Sequence, residues 1–237
     1  MIRIDMTNFA NTKALTFDLF GTILDLGGSL TPFIQKSLDT RDIINVSADE
    51  FWEQWRYRQR IEQYQDTIMM LGHSGYLETV RRALHYTLKR NLIDASSDTV
   101  KEFMQGWQHL SPFPEVLHAL DRLQSKFQLV VLSNGDPEFL EYLVTQRVEW
   151  DFDNVISVTS VGAFKPHPAV YRGAAGKLDL EVSECLMVSA NSFDIMGARA
   201  CGYRGAFVNR YNLPYENTQF QPDVTVEDFT ELVGTLQ

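Results

Sequence analysis

The sequence has 237 residues, a net charge of −10 at neutral pH, and 44% hydrophobic residues. This length suits one large domain, or a core with an inserted subdomain. An acidic chain repels phosphate backbones, which excludes nucleic acid as an expected partner. A small anionic substrate is not excluded, because a local Arg or Lys can reverse the potential inside a cleft.

The two cysteines, Cys185 and Cys201, are expected to be reduced thiols. They lack metal-type spacing and are too few for a disulfide framework. The opening residues, MIRIDMTNFANTK, lack the apolar stretch of a signal peptide, and no run of about 18 apolar residues predicts a membrane span. We therefore expect a cytoplasmic protein with no membrane partner.

The first predicted element is a strand at 14–19, and a long helical region follows it. Residues 27–110 hold no convincing strand. Ser47 begins a capping-box pattern that opens a helix rich in tryptophan, and a second helix is predicted over 76–90. A third helix has apolar residues at helical spacing from Val100 onwards. This pattern predicts a helical subdomain inserted after the first strand.

Strands and helices alternate in the second half of the chain. Further strands are predicted at 128–132, 154–158, 185–190 and 205–209. These runs do not alternate with polar residues, which is typical of strands buried on both faces of a parallel sheet. Helices are predicted at 113–124, 135–144, 168–178 and 192–201, the second with Asp136 as its N-cap and Pro137 at its first position.

The alternation predicts an α/β fold with a doubly wound, mainly parallel, Rossmann-like sheet. We expect residues 1–26 and 111–237 to form this core and residues 27–110 to form an α-helical cap. Ligands of open α/β sheets bind at the carboxyl ends of the strands. The predicted strand ends and the loop after the 154–158 strand carry Asp18, Ser133, Asn134, Lys165, Ser189, Asn191 and Asp194.

Each of these residues alone has an ordinary structural explanation. A carboxylate that ends a strand is often a cap or a salt-bridge partner, and strand-end Ser and Asn often satisfy loop backbone. The functional hypothesis depends on their convergence at one edge of the sheet, beneath a helical cap.

Four segments occur in an order that resembles the haloacid dehalogenase superfamily. They are FDLFGT, LSNG, FKPHPAVY and VSANSFDIMGAR, and they span most of the chain. The closer resemblance is to the type II L-2-haloacid dehalogenases. Phosphatases of the superfamily carry a second Asp two residues after the nucleophile, which protonates a departing alkoxide. Here Phe20 holds that position, and a halide needs no proton.

The fourth segment supports the same interpretation. Phosphatases of the superfamily have Gly-Asp where this chain has Ser189-Ala190, and their carboxylates help to hold Mg²⁺. Lys165 is then expected to supply the positive charge that a metal would bring. The resemblance therefore implies activity without a metal or other cofactor.

The mechanism implied by the resemblance is covalent catalysis. Asp18 attacks C2 of a 2-haloacid, and water then hydrolyses the resulting ester. Lys165 keeps Asp18 ionised, since a nearby cation lowers the pKa of a carboxyl group. Asp194, with Asn191, positions the water. Thr22 and Ser189 fix the nucleophile and Lys165.

The resemblance also implies residues that bind the substrate. The turn at Ser133 and Asn134 opens a helix, whose N-terminus favours anions. Arg56 is assigned to the halide, while Tyr171 matches a family tyrosine near the nucleophile. Three positions assigned to the pocket depart from the family. Phe20 replaces a tyrosine, Phe193 replaces a tryptophan, and Arg60 stands where an apolar side chain is expected.

These observations predict the hydrolytic dehalogenation of short (S)-2-haloacids to (R)-2-hydroxyacids, with the acid and water as the molecules bound. The family resemblance also suggests a homodimer. Three alternatives stay open at this point: a phosphohydrolase that lost its general acid, a hydrolase of a related non-halogenated small acid, and a non-catalytic binding protein that reuses the fold.

Overall fold

The computed structural model describes residues 9–237, so the first eight residues of the predicted core segment 1–26 lie outside the described part. A six-stranded parallel sheet has the order β5-β4-β1-β6-β7-β8. Its strands are β1 Ala14–Phe17, β4 Gln128–Ser133, β5 Asn154–Ser157, β6 Cys185–Ser189, β7 Arg204–Val208 and β8 Val224–Val226. This order confirms the predicted doubly wound α/β fold.

The order of the strands creates the crevice in which a ligand is expected. From β1 the sheet continues on one side through β4 and β5, and on the other through β6, β7 and β8. Both neighbours of β1 run parallel to it, and Ala14 is level with Gln128 of β4 and with Cys185 of β6. The carboxyl ends of β1, β4 and β6 therefore meet at the switch point of the sheet.

Helices cover both faces of the sheet, because alternate strand residues enter two separate apolar clusters. Val131 and Val188 belong to one cluster, and Val130 and Met187 to the other. The first is covered by α5 Val116–Leu123, α6 Pro137–Leu143 and α9 Phe229–Leu236. The second is covered by α7 Pro168–Lys177 and α8 Ser192–Ala200.

Four α-helices lie in the segment between Asp25 and Ser111 and share the first apolar cluster. They are α1 Leu26–Asp39, α2 Ala48–Ile68, α3 Tyr76–Arg90 and α4 Ser97–Gln105. We call them the helical insertion. A short antiparallel pair of strands, β2 Leu24–Asp25 and β3 Ser111–Pro112, joins the two chain segments that lead into and out of it. None of the helices in residues 9–237 combines the length and apolar character needed to cross a membrane.

The sequence analysis missed helix α1. Its apolar residues Leu26, Leu30, Ile34 and Leu38 repeat every four positions and are buried, which is a helical signal. Two glycines and a proline within the same 14 residues weakened that signal, because both residue types disfavour helix interiors. The carboxylate of Asp25 stabilises the first turn by accepting a hydrogen bond from Gly28 N at 2.8 Å.

Other corrections concern two elements near the end of the chain and the end of one helix. Strand β8 and helix α9 were not predicted. The third helix predicted for this region corresponds to α4. It ends at Gln105, and a 3₁₀ turn follows over Gly106–His109. Cys185 and Cys201 are both free thiols, as expected.

Asp136 caps a helix other than the predicted one. It is the N-cap residue of α6 by backbone position, but its side chain makes no cap bond there. Instead its carboxylate accepts hydrogen bonds from Tyr76 N at 2.9 Å and Leu77 N at 3.1 Å, at the start of α3. Gly75, the N-cap of α3, has no side chain for this purpose. A carboxylate from the sheet region therefore stabilises a helix of the insertion.

Replacing Asp136 with alanine should lower the free energy of unfolding by about 1–2 kcal/mol, the usual cost of losing an N-terminal cap. Urea denaturation measures this change. Asp151→Ala, at an exposed acid, is the control and should leave the midpoint unchanged. An unaltered midpoint for Asp136→Ala would show that the cap contributes nothing.

Candidate active site

Asp18 lies at the carboxyl end of the central strand. It directly follows β1, and its backbone N–H still donates to Val188 O at 3.0 Å, which extends the parallel ladder by one residue. The strand thereby fixes the direction of the side chain, which is only 6% exposed. A carboxylate this deeply buried requires hydrogen-bond partners.

Three side chains supply those partners, and two of them come from distant parts of the chain. Thr22 Oγ1 and Asn191 Nδ2 both donate to Asp18 Oδ2 at 2.9 Å. Lys165 Nζ donates to Asp18 Oδ1 at 3.2 Å. One carboxylate oxygen is thus held by two neutral donors, while the other faces a single ammonium group.

Lys165 joins two carboxylates in the interior. Its Nζ lies 2.8 Å from Asp194 Oδ2 as well as 3.2 Å from Asp18 Oδ1, and the side chain is 1% exposed. Burial alone would lower the pKa of Lys165, but the charges of Asp194 and Asp18 outweigh it, so the pKa is raised above its ordinary value. The ammonium group therefore stays protonated at neutral pH.

Asp194 lies behind Lys165. Burial raises the pKa of the Asp194 carboxyl group, while the charge of Lys165 opposes that shift. Its second oxygen accepts a hydrogen bond from Tyr171 Oη at 2.8 Å. Burial also raises the pKa of Tyr171 well above its usual value, so this hydroxyl remains a donor. Tyr171 was predicted to face the substrate, but here its hydroxyl holds Asp194.

The turn after β6 carries the remaining donors. Ala190 N donates to Thr22 Oγ1 at 2.9 Å, which orients the threonine hydrogen toward Asp18. Ser189 Oγ accepts from Asn191 N at 3.1 Å and so shapes the turn. Thr22 and Ser189 were predicted to fix the nucleophile and Lys165. In the described chain Thr22 bonds to Asp18, and the hydrogen bonds of Lys165 Nζ go to the two carboxylates.

The turn after β4 supports Lys165. Asn134 Oδ1 accepts from Lys165 N at 2.8 Å, while Asn134 Nδ2 donates to Gln63 of α2 at 3.3 Å. Ser133 Oγ accepts from Gly135 N at 3.3 Å. Both side chains, predicted to contact substrate, are thus engaged within the protein.

Helix α2 brings two of its three arginines to the site. Arg60 Nη2 donates to Asn191 Oδ1 at 2.8 Å, and Arg56 Nη1 donates to Gln59 Oε1 at 2.9 Å. Arg58 points elsewhere and pairs with Glu62. The spacing explains the difference: positions 56, 59 and 60 share one helix face, and position 58 does not.

Aromatic rings close the site on two sides. Phe20 stacks on Tyr76 with ring centroids 4.1 Å apart, and both rings lie near Trp107. Phe193 packs against Tyr64 of α2, with centroids 6.0 Å apart. The two predicted pocket aromatics, Phe20 and Phe193, therefore both pack against the helical insertion.

Several residues near the site were missed by the sequence analysis. Tyr76 Oη and Gln59 Nε2 are buried without a hydrogen-bond partner, and burial raises the pKa of Tyr76 to about 12. His73 Nε2 lies 2.9 Å from Asn134 O. Gln59 and Gln63 fall three and seven positions after Arg56, so a polar stripe on α2 was the signal available.

The site does not fit a resident metal ion. Lys165 Nζ lies between Asp18 and Asp194, where a cation that bridges the two carboxylates would sit. Ala190 offers no ligand atom from its side chain. Within residues 9–237, no group of three His, Cys, Asp or Glu side chains is arranged to hold a metal ion.

Thr22→Val should lower the free energy of unfolding by about 1–3 kcal/mol, because it leaves the buried Ala190 N–H without a partner and removes one of the two hydrogen bonds to Asp18 Oδ2. Thermal denaturation measures the change. Thr87→Val is the matched control, since Thr87 is equally buried but donates only to a helix carbonyl, Ala83 O. Equal effects of the two substitutions would contradict a supporting role for Thr22.

Comparison with known proteins places these features in a family. The model for the haloacid dehalogenase-like hydrolase family matches residues 12–202. Haloacetate dehalogenase H-2 of Moraxella sp. (strain B) is 30% identical over 90% of this chain and 93% of its own. A solved L-2-haloacid dehalogenase is 26% identical and superposes with a TM-score of 0.87 over 95% of this chain and 99% of its own.

A second solved structure carries a covalent adduct. It is an L-2-haloacid dehalogenase from Xanthobacter autotrophicus with chloropropionic acid covalently bound, 25% identical, with a TM-score of 0.80 over 94% of this chain and 97% of its own. Since the family model covers most of the sequence and matches the core around Asp18, the chain belongs to the haloacid dehalogenase-like hydrolases.

Proposed function

We propose that this protein hydrolyses the carbon–halogen bond of short (S)-2-haloacids to give (R)-2-hydroxyacids. The observation that carries the proposal is the environment of Asp18. Its carboxylate is held by Lys165, Thr22 and Asn191, and Phe20 follows it two residues later in the sequence. The Moraxella relative is named for haloacetate, and the Xanthobacter structure holds a covalent chloropropionic acid, which supports the same chemistry.

In the first step, Asp18 Oδ1 attacks C2 of the acid from the side opposite the halogen. A C–O bond forms as the C–X bond breaks, the halide leaves with the electron pair, and C2 is inverted. Oδ1 is the attacking atom because it accepts one hydrogen bond, at 3.2 Å, whereas Oδ2 accepts two at 2.9 Å. A carboxylate oxygen with fewer hydrogen bonds keeps more of its nucleophilic electron density.

In the second step, water attacks the carbonyl carbon of the Asp18 ester. Oδ2 is then the carbonyl oxygen, and its negative charge in the tetrahedral intermediate is stabilised by Thr22 Oγ1 and Asn191 Nδ2. Collapse returns the carboxylate of Asp18 and releases the 2-hydroxyacid, with one proton leaving to solvent. Asp194 is fully buried behind Lys165, so its part is to hold the charge of Lys165.

The leaving group distinguishes this reaction from phosphate-ester hydrolysis. An alkoxide needs a proton as it departs, and the benzyl side chain of Phe20 has none to give. A halide is a weak base and leaves unaided. Lys165 supplies the positive charge between Asp18 and Asp194, and we propose that the activity requires no metal ion.

We also propose that residues 27–110 act as a cap over the site. Gln63, Arg60 and Arg56 of α2 reach toward the strand ends, and Gln63 and Arg60 bond to Asn134 and Asn191 there. The cap excludes bulk water, which strengthens the charge interactions around Asp18.

Halide release tests the proposal. Purified protein should release chloride from chloroacetate and from (S)-2-chloropropanoate but not from the (R) enantiomer, with the same rate after EDTA treatment. Phosphate release from p-nitrophenyl phosphate with Mg²⁺ is the competing measurement. Phosphate release without any halide release would favour a phosphohydrolase and overturn the proposal.

Asp18→Asn should lower the rate of halide release by about a thousandfold or more, because the amide cannot act as the nucleophile. Asp121→Asn, at an exposed acid on α5, is the control and should retain full activity. In H₂¹⁸O, a single turnover should place the label in the Asp18 carboxylate, as measured by mass spectrometry. Label in the hydroxyacid instead would mean that water attacks C2 directly.

A further inference from the structure

Arg60 occupies a position beside the nucleophile that the proposed mechanism leaves unused. Its Nη2 donates to Asn191 Oδ1 at 2.8 Å, and Asn191 Nδ2 in turn lies 2.9 Å from Asp18 Oδ2. The guanidinium also lies over the ring of Phe193, 5.7 Å from its centroid. Arg60 therefore flanks Asp18 on the Asn191 side, whereas Arg56 lies near Gln59 and Tyr76 on the side of Phe20.

The charge of Arg60 has no carboxylate paired with it. In residues 9–237, ion pairs join Arg58 and Arg82 to Glu62, but none joins Arg56 or Arg60 to an acid. Arg60 Nε is buried without a hydrogen-bond partner. Burial, together with the neighbouring charge of Arg56, lowers the pKa of Arg60 to about 10. Such a cation is stabilised when an anion binds next to it.

The charges around Asp18 balance when one monoanion enters. The site holds three cations, Lys165, Arg56 and Arg60, against the two carboxylates Asp18 and Asp194. A monocarboxylate neutralises the remaining positive charge, whereas a dicarboxylate would leave the site with one excess negative charge. This balance favours a substrate with a single carboxylate, close to Asp18.

We propose that Arg60 binds the carboxylate of the 2-haloacid, which leaves Arg56 to hold the departing halide. The inference rests on the proposed function. C2 must face Asp18 Oδ1 for attack, so the carboxylate bonded to C2 lies within one bond of the reaction centre. The Nε and Nη1 groups of Arg60 make no hydrogen bond in the described chain and are available to it. A guanidinium is suited to hold a carboxylate through two N–H groups.

A comparison of an acid with its neutral amide separates this role from a purely structural one. Chloroacetate and 2-chloroacetamide present the same C–Cl bond to Asp18, but only the first carries a carboxylate. Arg60→Met should lower kcat/KM for chloroacetate by about 10- to 100-fold, the usual loss for a charged hydrogen bond, and leave kcat/KM for the amide nearly unchanged. Arg60→Lys, which keeps the charge, should retain most of the preference for the acid.

Arg58→Met is the matched control on the same helix. It should leave kcat/KM unchanged for both substrates, since Arg58 pairs with Glu62 outside the site. Circular dichroism checks that each variant is folded. A loss confined to the acid supports the proposal. An equal loss for acid and amide overturns it, because Arg60 would then act on Asp18 only through Asn191.

Binding of glycolate separates failure of this inference from failure of the proposed function. If the wild-type protein releases chloride from neither compound, the proposed function fails, and calorimetric titration with glycolate still decides the role of Arg60. Binding about tenfold weaker in Arg60→Met supports a carboxylate site at Arg60. Equal binding in both proteins, or no binding in either, overturns it.

Discussion

The rest of the site depends on the buried ion pairs that Lys165 forms with two carboxylates. The ammonium group of Lys165 lies between the carboxylates of Asp18 and Asp194, all three nearly inaccessible to water. Without this cation, two negative charges would share a buried volume, and at least one would have to take up a proton. The positive charge of Lys165 therefore compensates the two buried carboxylates.

The topology of the sheet explains how Lys165 reaches that place. Strand β1 has β4 and β6 as neighbours, so the turns after three strands converge on one edge. Asn134 in the turn after β4 fixes the backbone of Lys165, and Asn191 after β6 fixes Asp18. The backbone of Lys165 and the carboxylate of Asp18 are therefore held by side chains in the turns that follow β4 and β6.

The helical insertion completes the site and does not merely cover it. Its helix α2 contributes Gln63 to the turn that supports Lys165, and Arg60 to the turn that supports Asp18. In return, Asp136 of the sheet region caps α3 of the insertion. These contacts couple the two parts of the chain, so a change in the position of α2 would alter both the charge balance and the hydrogen bonds around Asp18.

The sequence by itself determined the fold class, five of the six parallel strands of the described sheet and the residues at their ends, because apolar runs and helical periodicity are local properties of the chain. It also placed Phe20 where phosphatases of the resembled superfamily carry an acidic residue, and the proposed leaving group rests on that position. It did not identify α1, whose glycines and proline obscure a regular apolar repeat. Only the tertiary structure decided what each polar side chain touches. Tyr171 bonds to Asp194, and Arg60 reaches Asn191 across 131 positions of sequence. Helical spacing separates Arg58 from its neighbours, but the packing of α2 against the strand ends decides which arginine atoms approach Asp18.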